Sequence, residues 1–180
     1  KLHVGNASVA PAAMDALCNI SLDVAACVAL VRDQGAAAAI VAALQQHAAN
    51  VELARAACRT LRNLAHPAEA CTLLCDASIA NAVVAALQRH TSDVEVAKSG
   101  CWALRNLAIV DNGRSQLERD DSACAAVMAV LKQHIDNVSV AEAALRALWN
   151  LTTDKTTVCG WLLHNSGVIP AIAAAFQRHA

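Results

Sequence analysis

The sequence predicts an all-α repeat solenoid with three helices in each unit, on three observations. A five-residue core recurs: Leu-Cys-Asn-Ile-Ser at 17–21, Leu-Arg-Asn-Leu-Ala at 61–65 and again at 104–108, and Leu-Trp-Asn-Leu-Thr at 148–152. Its asparagines fall at 19, 63, 106 and 150, in steps of 44, 43 and 44. A second motif keeps the same beat, ending in His47, His90, His134 and His179, and a small residue (Gly35, Ser78, Ser122, Gly167) stands nine positions before its Leu or Phe. The third observation is composition. Hydrophobic residues make up 57%, mostly Ala, Val and Leu, with three Trp, one Phe and no Tyr. Strands favour β-branched and aromatic residues, so this mixture argues for closely packed helices. Each unit of such an array buries its apolar face against its neighbours.

Taken in order, the chain divides into 1–21 (the end of a truncated repeat), three repeats at 22–65, 66–108 and 109–152, and a partial repeat at 153–180. His3 and Asn6 align with His47 and Asn50, so the chain reads as a fragment of a longer array. Asn6 or Ser8 starts a first helix that runs to about Ser21, with Pro11 in its first turn, where no backbone donor is needed. Short helices are expected near 22–31, 67–75, 114–118 and 156–164, second helices over 35–46, 78–89, 122–133 and 168–178, and third helices over 51–65, 94–108 and 138–151. Asn6, Asn50, Asp93 and Asn137 occupy one position, and all are strong N-cap types.

Leu-x-Asn-Leu-Ala closing a third helix, the 43–45 residue period, Cys-Trp-Ala-Leu-Arg-Asn-Leu-Ala at 101–108 and Gly-Val-Ile-Pro-Ala-Ile at 167–172 resemble the armadillo repeat family. The resemblance covers essentially the whole chain. It implies a right-handed superhelix whose third helices line a concave groove. It also implies that Asn19, Asn63, Asn106 and Asn150 hold the backbone of an extended peptide.

Helix geometry describes the groove independently. At about 100° per residue, with Leu61 at the centre of the buried face, Ala54, Ala57, Leu64 and Ala65 lie on that face. Glu52, Ala56, Arg59 and Asn63 lie opposite, flanked by Arg55 and Arg62. The equivalent stripes are Ser8, Ala12, Asp15 and Asn19; Glu95, Ser99, Trp102 and Asn106; and Ser139, Ala143, Arg146 and Asn150. Trp102 is a large aromatic on a polar face, which the core does not require. Six cations (Arg55, Arg59, Arg62, Lys98, Arg105, Arg146) and four acids (Asp15, Glu52, Glu95, Glu142) leave this surface at +2. An acidic peptide is therefore expected, with Arg59 and Arg146 pairing with its carboxylates and Trp102 packing on an aliphatic stem. The bland alternatives are an asparagine ladder that ties helix ends to neighbouring loops, arginines placed by the helix dipole, and a Trp149 that packs between units.

The remaining features exclude classes. Net charge is −1 and the pI is near 6.7, so no bulk basic field suggests nucleic acid or an anionic membrane. No uninterrupted apolar run approaches the roughly 18–20 residues of a transmembrane helix. In-register histidines on helices about 8–10 Å apart cannot share one zinc ion, so they are read as helix-end residues. The eight cysteines mostly stand at apolar repeat positions and read as buried reduced thiols in a cytoplasmic or nuclear compartment. Cys71 and Cys75, one helical turn apart, leave a redox pair or half a metal site as alternatives. No phosphate-binding Gly-rich loop, His-Glu-x-x-His or Gly-x-Ser-x-Gly occurs. No enzymatic activity, cofactor or metal is expected.

The expected function is a protein-interaction scaffold that binds an extended acidic segment. The alternatives are a structural array within a cytoskeletal or axonemal assembly and, behind it, an importin-like nuclear transport adaptor. The last is weakened because the residue four before each asparagine is Asp15, Arg59, Trp102 and Arg146, with one Trp in four. Weak end-to-end self-association is also expected, because helices at both ends lack an outer neighbour.

Overall fold

The computed structural model describes residues 9–32, 34–117, 121–153 and 167–179. Among the described residues there are eleven helices and no strand. In chain order they are α1 (Val9–Ile20), α2 (Val24–Arg32), α3 (Gln34–Gln46), α4 (Val51–Leu64), α5 (Ala68–Leu74), α6 (Ala77–Arg89), α7 (Val94–Leu107), α8 (Asp111–Leu117), α9 (Ser122–Gln133), α10 (Val138–Leu151) and α11 (Val168–Arg178). The expected helix at 156–164, the cap positions Asn6 and Ser8, and His3, Cys159 and His164 lie outside the described residues.

The third helices begin where their caps predict. Asn50, Asp93 and Asn137 have extended backbones, and their side chains accept from the main-chain N–H groups of Leu53, Val96 and Val140. Each thus satisfies one of the donors that a helix start leaves open. α6 has a cap that the sequence reading passed over: Asp76 accepts from the Ser78 N–H at 2.6 Å, and the helix begins at Ala77. α8 differs most, starting three residues before the expected 114. Asp-Asn-Gly is a poor helix-forming run, but packing overrides it. A side chain at position 113 would place its Cβ 2.1 Å from the Leu107 carbonyl oxygen, so only glycine lets α8 lie this close to the end of α7.

The helices stack in ladders. α4 packs between α1 and α7, and α7 packs between α4 and α10. The second helices follow suit, with α6 against both α3 and α9, and α11 against α9. Each second helix also packs on the third helix of its own unit: α3 on α4, α6 on α7, α9 on α10. α2 lies on α5, and α8 packs on α6 and α10. This is the layout of a helical solenoid, in which the core is a continuous strip rather than one centre. Leu53, Leu61, Leu64, Leu87, Leu104, Leu131 and Leu151 are among its largest fully buried side chains, interleaved with alanines such as Ala57, Ala97, Ala103 and Ala144.

Small residues set the approach of second and third helices. Gly100 of α7 faces Leu87 of α6, and a Cβ there would lie 2.6 Å from Leu87 Cδ2 and 2.9 Å from Cγ. Ala57 and Ala144 stand at the same repeat position and are fully buried. Gly100→Leu should therefore overpack this contact and destabilise the chain by about 1–3 kcal/mol. Gly100→Ala should cost less, because the tip of Leu87 can turn aside. Urea titrations of the two variants read the difference. An unchanged midpoint for Gly100→Leu would contradict this packing.

Candidate functional site

An interior third helix has a like helix on each side and a second helix behind it. Its buried arc is therefore wider than the single apolar face read from the sequence. On α4 it takes in Ala56 and Thr60 as well as Leu53, Ala57, Leu61 and Leu64. On α7 it takes in Ser99 and Asn106, and α10, with α7 as its one described third-helix neighbour, also buries Ala143. Ser99 was expected on the open surface but is fully buried, with its hydroxyl donating to Glu95 Oε1 at 3.1 Å. Asn106, also expected there, is 3% exposed. The open strip retains Glu52, Arg55, Arg59 and Arg62 on α4; Glu95, Lys98, Trp102 and Arg105 on α7; and Ser139, Glu142, Arg146 and Trp149 on α10. Asn63 and Asn150 are half-buried at its edge, and Asn19 on α1 is exposed.

The asparagines form an inter-repeat ladder. Asn106 Nδ2 donates to the Arg62 carbonyl at 3.1 Å, and Asn150 Nδ2 donates to the Arg105 carbonyl at 3.0 Å. Those carbonyls belong to the last turns of α4 and α7, where a helix leaves its acceptors unpaired. Asn63 Nδ2 donates instead to the Ser21 hydroxyl at 3.1 Å. Within a repeat, the Cys71 thiol reaches the Asn106 carbonyl at 3.3 Å, and Cys27 at the equivalent position reaches the Asn63 carbonyl at 3.6 Å. Between repeats, the histidines link the second helices. The Nε2 atoms of His90, His134 and His179 bond the carbonyls of Ala48, Thr91 and Ile135 at 2.8, 2.6 and 2.7 Å. A carbonyl only accepts, so each ring carries its proton on Nε2. Each carbonyl follows the histidine position of the preceding unit by one residue, so each histidine ties its unit to the same place on the unit before.

The cysteines follow the burial that their repeat positions predict. The seven described ones are free, and all but the half-buried Cys75 are buried. Burial pushes the Cys58 thiol up to about 12. Among the described residues no three His, Cys, Asp or Glu side chains converge as a metal site. No single described helix is long and apolar enough to cross a membrane.

The charges on the strip are largely matched within the chain. Arg59 Nη2 meets Asp15 Oδ1 at 3.1 Å, Lys98 meets Glu95 at 3.0 Å, and Arg146 Nε meets Glu142 at 2.9 Å. Arg55 binds Asp93 through both Nε and Nη2 and also reaches Glu52. The expected carboxylate partners of Arg59 and Arg146 are thus already supplied by neighbouring residues. Arg62 and Arg105 differ. They donate to the side-chain oxygens of Asn63 and Asn106, at 3.2 and 2.9 Å, and these oxygens carry no charge. Neither arginine has a carboxylate partner among the described residues.

The strip therefore has two chemically distinct parts. A polar cleft of about 690 Å³ lies toward the starts of the third helices, lined by Asp15, Glu52, Arg55, Arg59, Ser92, Asp93, Val94 and Glu95, with acids in excess. Toward their ends a second cleft of about 400 Å³ is lined by Arg105, Leu145, Arg146, Trp149 and Asn150. Trp102 is half-buried between two cations, with Arg105 at 5.6 Å and Arg146 at 5.9 Å from its ring. Trp149 is 76% exposed, so it is not packed between units.

A layered array of helix triplets with a polar strip on its third helices defines a repeat-type helical interaction domain. Over residues 9–177 the chain matches the family model described as "Protein zer-1 homolog-like, C-terminal domain". The chain belongs to this family, which is armadillo-like and helical. Membership points to a protein-interaction role with a protein partner. No curated protein and no solved structure matches the chain.

Two outcomes follow from these bonds. Asn106→Ala should cost about 1–3 kcal/mol, because the Arg62 carbonyl loses its buried donor, while Asn19→Ala on the exposed end helix should stay within about 0.5 kcal/mol of the parent. Equal effects in chemical denaturation would contradict the ladder. The second concerns pH. Hydrogen bonds from Arg55 hold the Asp93 carboxyl below the usual carboxylate range. A depressed carboxylate contributes stability above its unfolded value and loses it as pH falls through its folded value. Asp93→Asn keeps the cap, since Asn fills this position at 50 and 137, and removes only the charge. The stability gap between parent and variant should be constant above about pH 5, narrow below about pH 4, and close only as pH falls through the depressed folded value. A gap independent of pH would show that Arg55 does not sense the charge.

Proposed function

We propose that this chain is a non-catalytic protein-interaction module that binds an extended, acidic peptide segment across α4, α7 and α10. One observation carries the reading. Arg62 and Arg105, at one repeat position on adjacent helices, carry positive charge that no described carboxylate offsets, and Arg105 lies beside the aromatic surfaces of Trp102 and Trp149. Helices packed about 8–10 Å apart and an extended chain rising about 3.3 Å per residue put about three ligand residues between the arginines. The ligand therefore presents two carboxylates at that spacing and an aliphatic stem to Trp102. Asn63 and Asn106 orient the arginines. Asn150, whose side-chain oxygen meets no described donor, and the exposed Asn19 are the asparagines open to a peptide main chain.

The same reading assigns a right-handed armadillo superhelix, with this strip as its concave side, and a cytoplasmic or nuclear location. The importin-like alternative is disfavoured, because a basic cargo would meet Arg62 and Arg105.

Titration of the chain with acidic, neutral and basic nonapeptides, followed by tryptophan fluorescence, tests the proposal. Acidic peptides should bind best and more weakly at high salt. Arg62→Ala and Arg105→Ala should each weaken binding about tenfold, about 1.4 kcal/mol. A preference for basic peptides would overturn the charge assignment. Partner capture that survives Arg62→Glu with Arg105→Glu would move the interaction to another surface, as in the structural-array reading.

A further inference from the structure

A cleft of about 540 Å³ opens between the second helices α3 and α6. Its volume falls within the roughly 300–1,000 Å³ of sites that enclose a ligand. Both walls have a described third helix behind them, α4 and α7, so the cleft lies on the layer opposite the strip. Leu44, Ala48, Ala82 and Ala86 give it apolar sides. The repeat explains why it is open. Counting from the histidines, Ala48 and Ala86 become Thr91 and Val130 between α6 and α9, which carry more bulk into the same place. No acid lines the cleft, but Arg89 does, from the last turn of α6. Arg89 is exposed and has no ion-pair or hydrogen-bond partner among the described residues.

We propose that this cleft is a second protein-docking site, which takes an acidic side chain of a partner on Arg89 and an aliphatic neighbour of that side chain between α3 and α6. The chain holds its own copy of the charged half of this contact. Arg178 stands at the position of Arg89, one residue before the histidine, and it pairs with Asp136 of the preceding unit. The residue that the same register sets against Arg89 is Ala49, which is exposed and cannot pair. Between these two units the position holds Gln133, opposite Ser92, and neither is charged. Arg89 is thus the one of the three whose charge has no counterpart in the register. A partner's carboxylate takes the place that Asp136 occupies on Arg178 and meets the guanidinium fork with charge-assisted hydrogen bonds. Family membership points to a protein as the source of that carboxylate. The cleft shares no lining residue with the two clefts of the strip, so it does not depend on the peptide assigned to Arg62 and Arg105.

The probe is the blocked dipeptide acetyl-Val-Glu-amide, titrated into the isotope-labelled chain. NMR follows the Arg89 side-chain N–H and the main-chain amides of α3 and α6. The dipeptide should shift these signals saturably, and its glutamine analogue should bind about tenfold more weakly. Ala49→Asp supplies Arg89 with the partner that Asp136 gives Arg178, and Arg89→Gln copies Gln133. Each should weaken the probe by a similar factor. Ala48→Thr with Ala86→Val copies Thr91 and Val130, and should block the probe by filling the cleft. Another repeat of the chain already carries each of these residues, and circular dichroism checks that folding is kept. Arg62→Ala with Arg105→Ala should leave the shifts unchanged, which separates this site from the strip. Absence of saturable shifts into the millimolar range would overturn the proposal. So would shifts that survive Arg89→Gln or the filled cleft, or shifts that lie on α7 and α10 and vanish with the Arg62 and Arg105 double variant. Hexanoate binding more tightly than the dipeptide would overturn the protein partner in favour of a small acid.

Discussion

Every interior third helix of this protein is enclosed on three sides, and that enclosure governs its chemistry. α7 touches α4, α10 and α6. Close contact on all three sides favours small side chains, hence Ala97, Ala103 and, against Leu87 of α6, Gly100. It also traps polar groups that a one-sided amphipathic helix would leave in water. Ser99, Thr60 and Asn106 are each satisfied: by Glu95, by the Ala56 carbonyl, and by the Arg62 carbonyl together with the Arg105 guanidinium. An unsatisfied polar group in such a place costs free energy comparable to a lost hydrogen bond.

Registration between repeats comes from side chains that close helix ends. A helix leaves its last carbonyls without partners. Asn106 and Asn150 supply donors to those of the preceding unit, and the histidines serve the carbonyls just after the preceding unit's second helix. All these acceptors are main-chain atoms, so the links do not depend on which side chain the neighbouring unit carries. That allows position 62 and its equivalents to hold Arg, Arg and Trp without disturbing the stack.

The ladder has a functional consequence. By turning their amide nitrogens inward, Asn63 and Asn106 present their oxygens to Arg62 and Arg105, and so hold two cations with an acceptor that does not neutralise them. Elsewhere on the strip the cations meet carboxylates and their fields largely cancel. A uniform stripe with a small positive skew becomes a cleft rich in acids at one end of the helices and a region of arginine and tryptophan at the other.

Helix identity, period and caps were legible in the sequence because they rest on local rules. Asn50, Asp93 and Asn137 act within their own helices, and the 43–45 residue beat repeats what one unit does. The candidate strip was legible in part: Arg62, Trp102, Arg105 and Arg146 could be placed by a 100° rotation about one axis. Ser99 and Asn106 could not, because their burial is imposed by flanking helices about 44 residues away in the chain. The start of α8 likewise required the approach of Gly113 to Leu107. Which arginines keep their charge available was decided by tertiary structure alone. Pairs such as Arg59 with Asp15 and Arg55 with Asp93 join residues that only the stacking of whole repeats brings together.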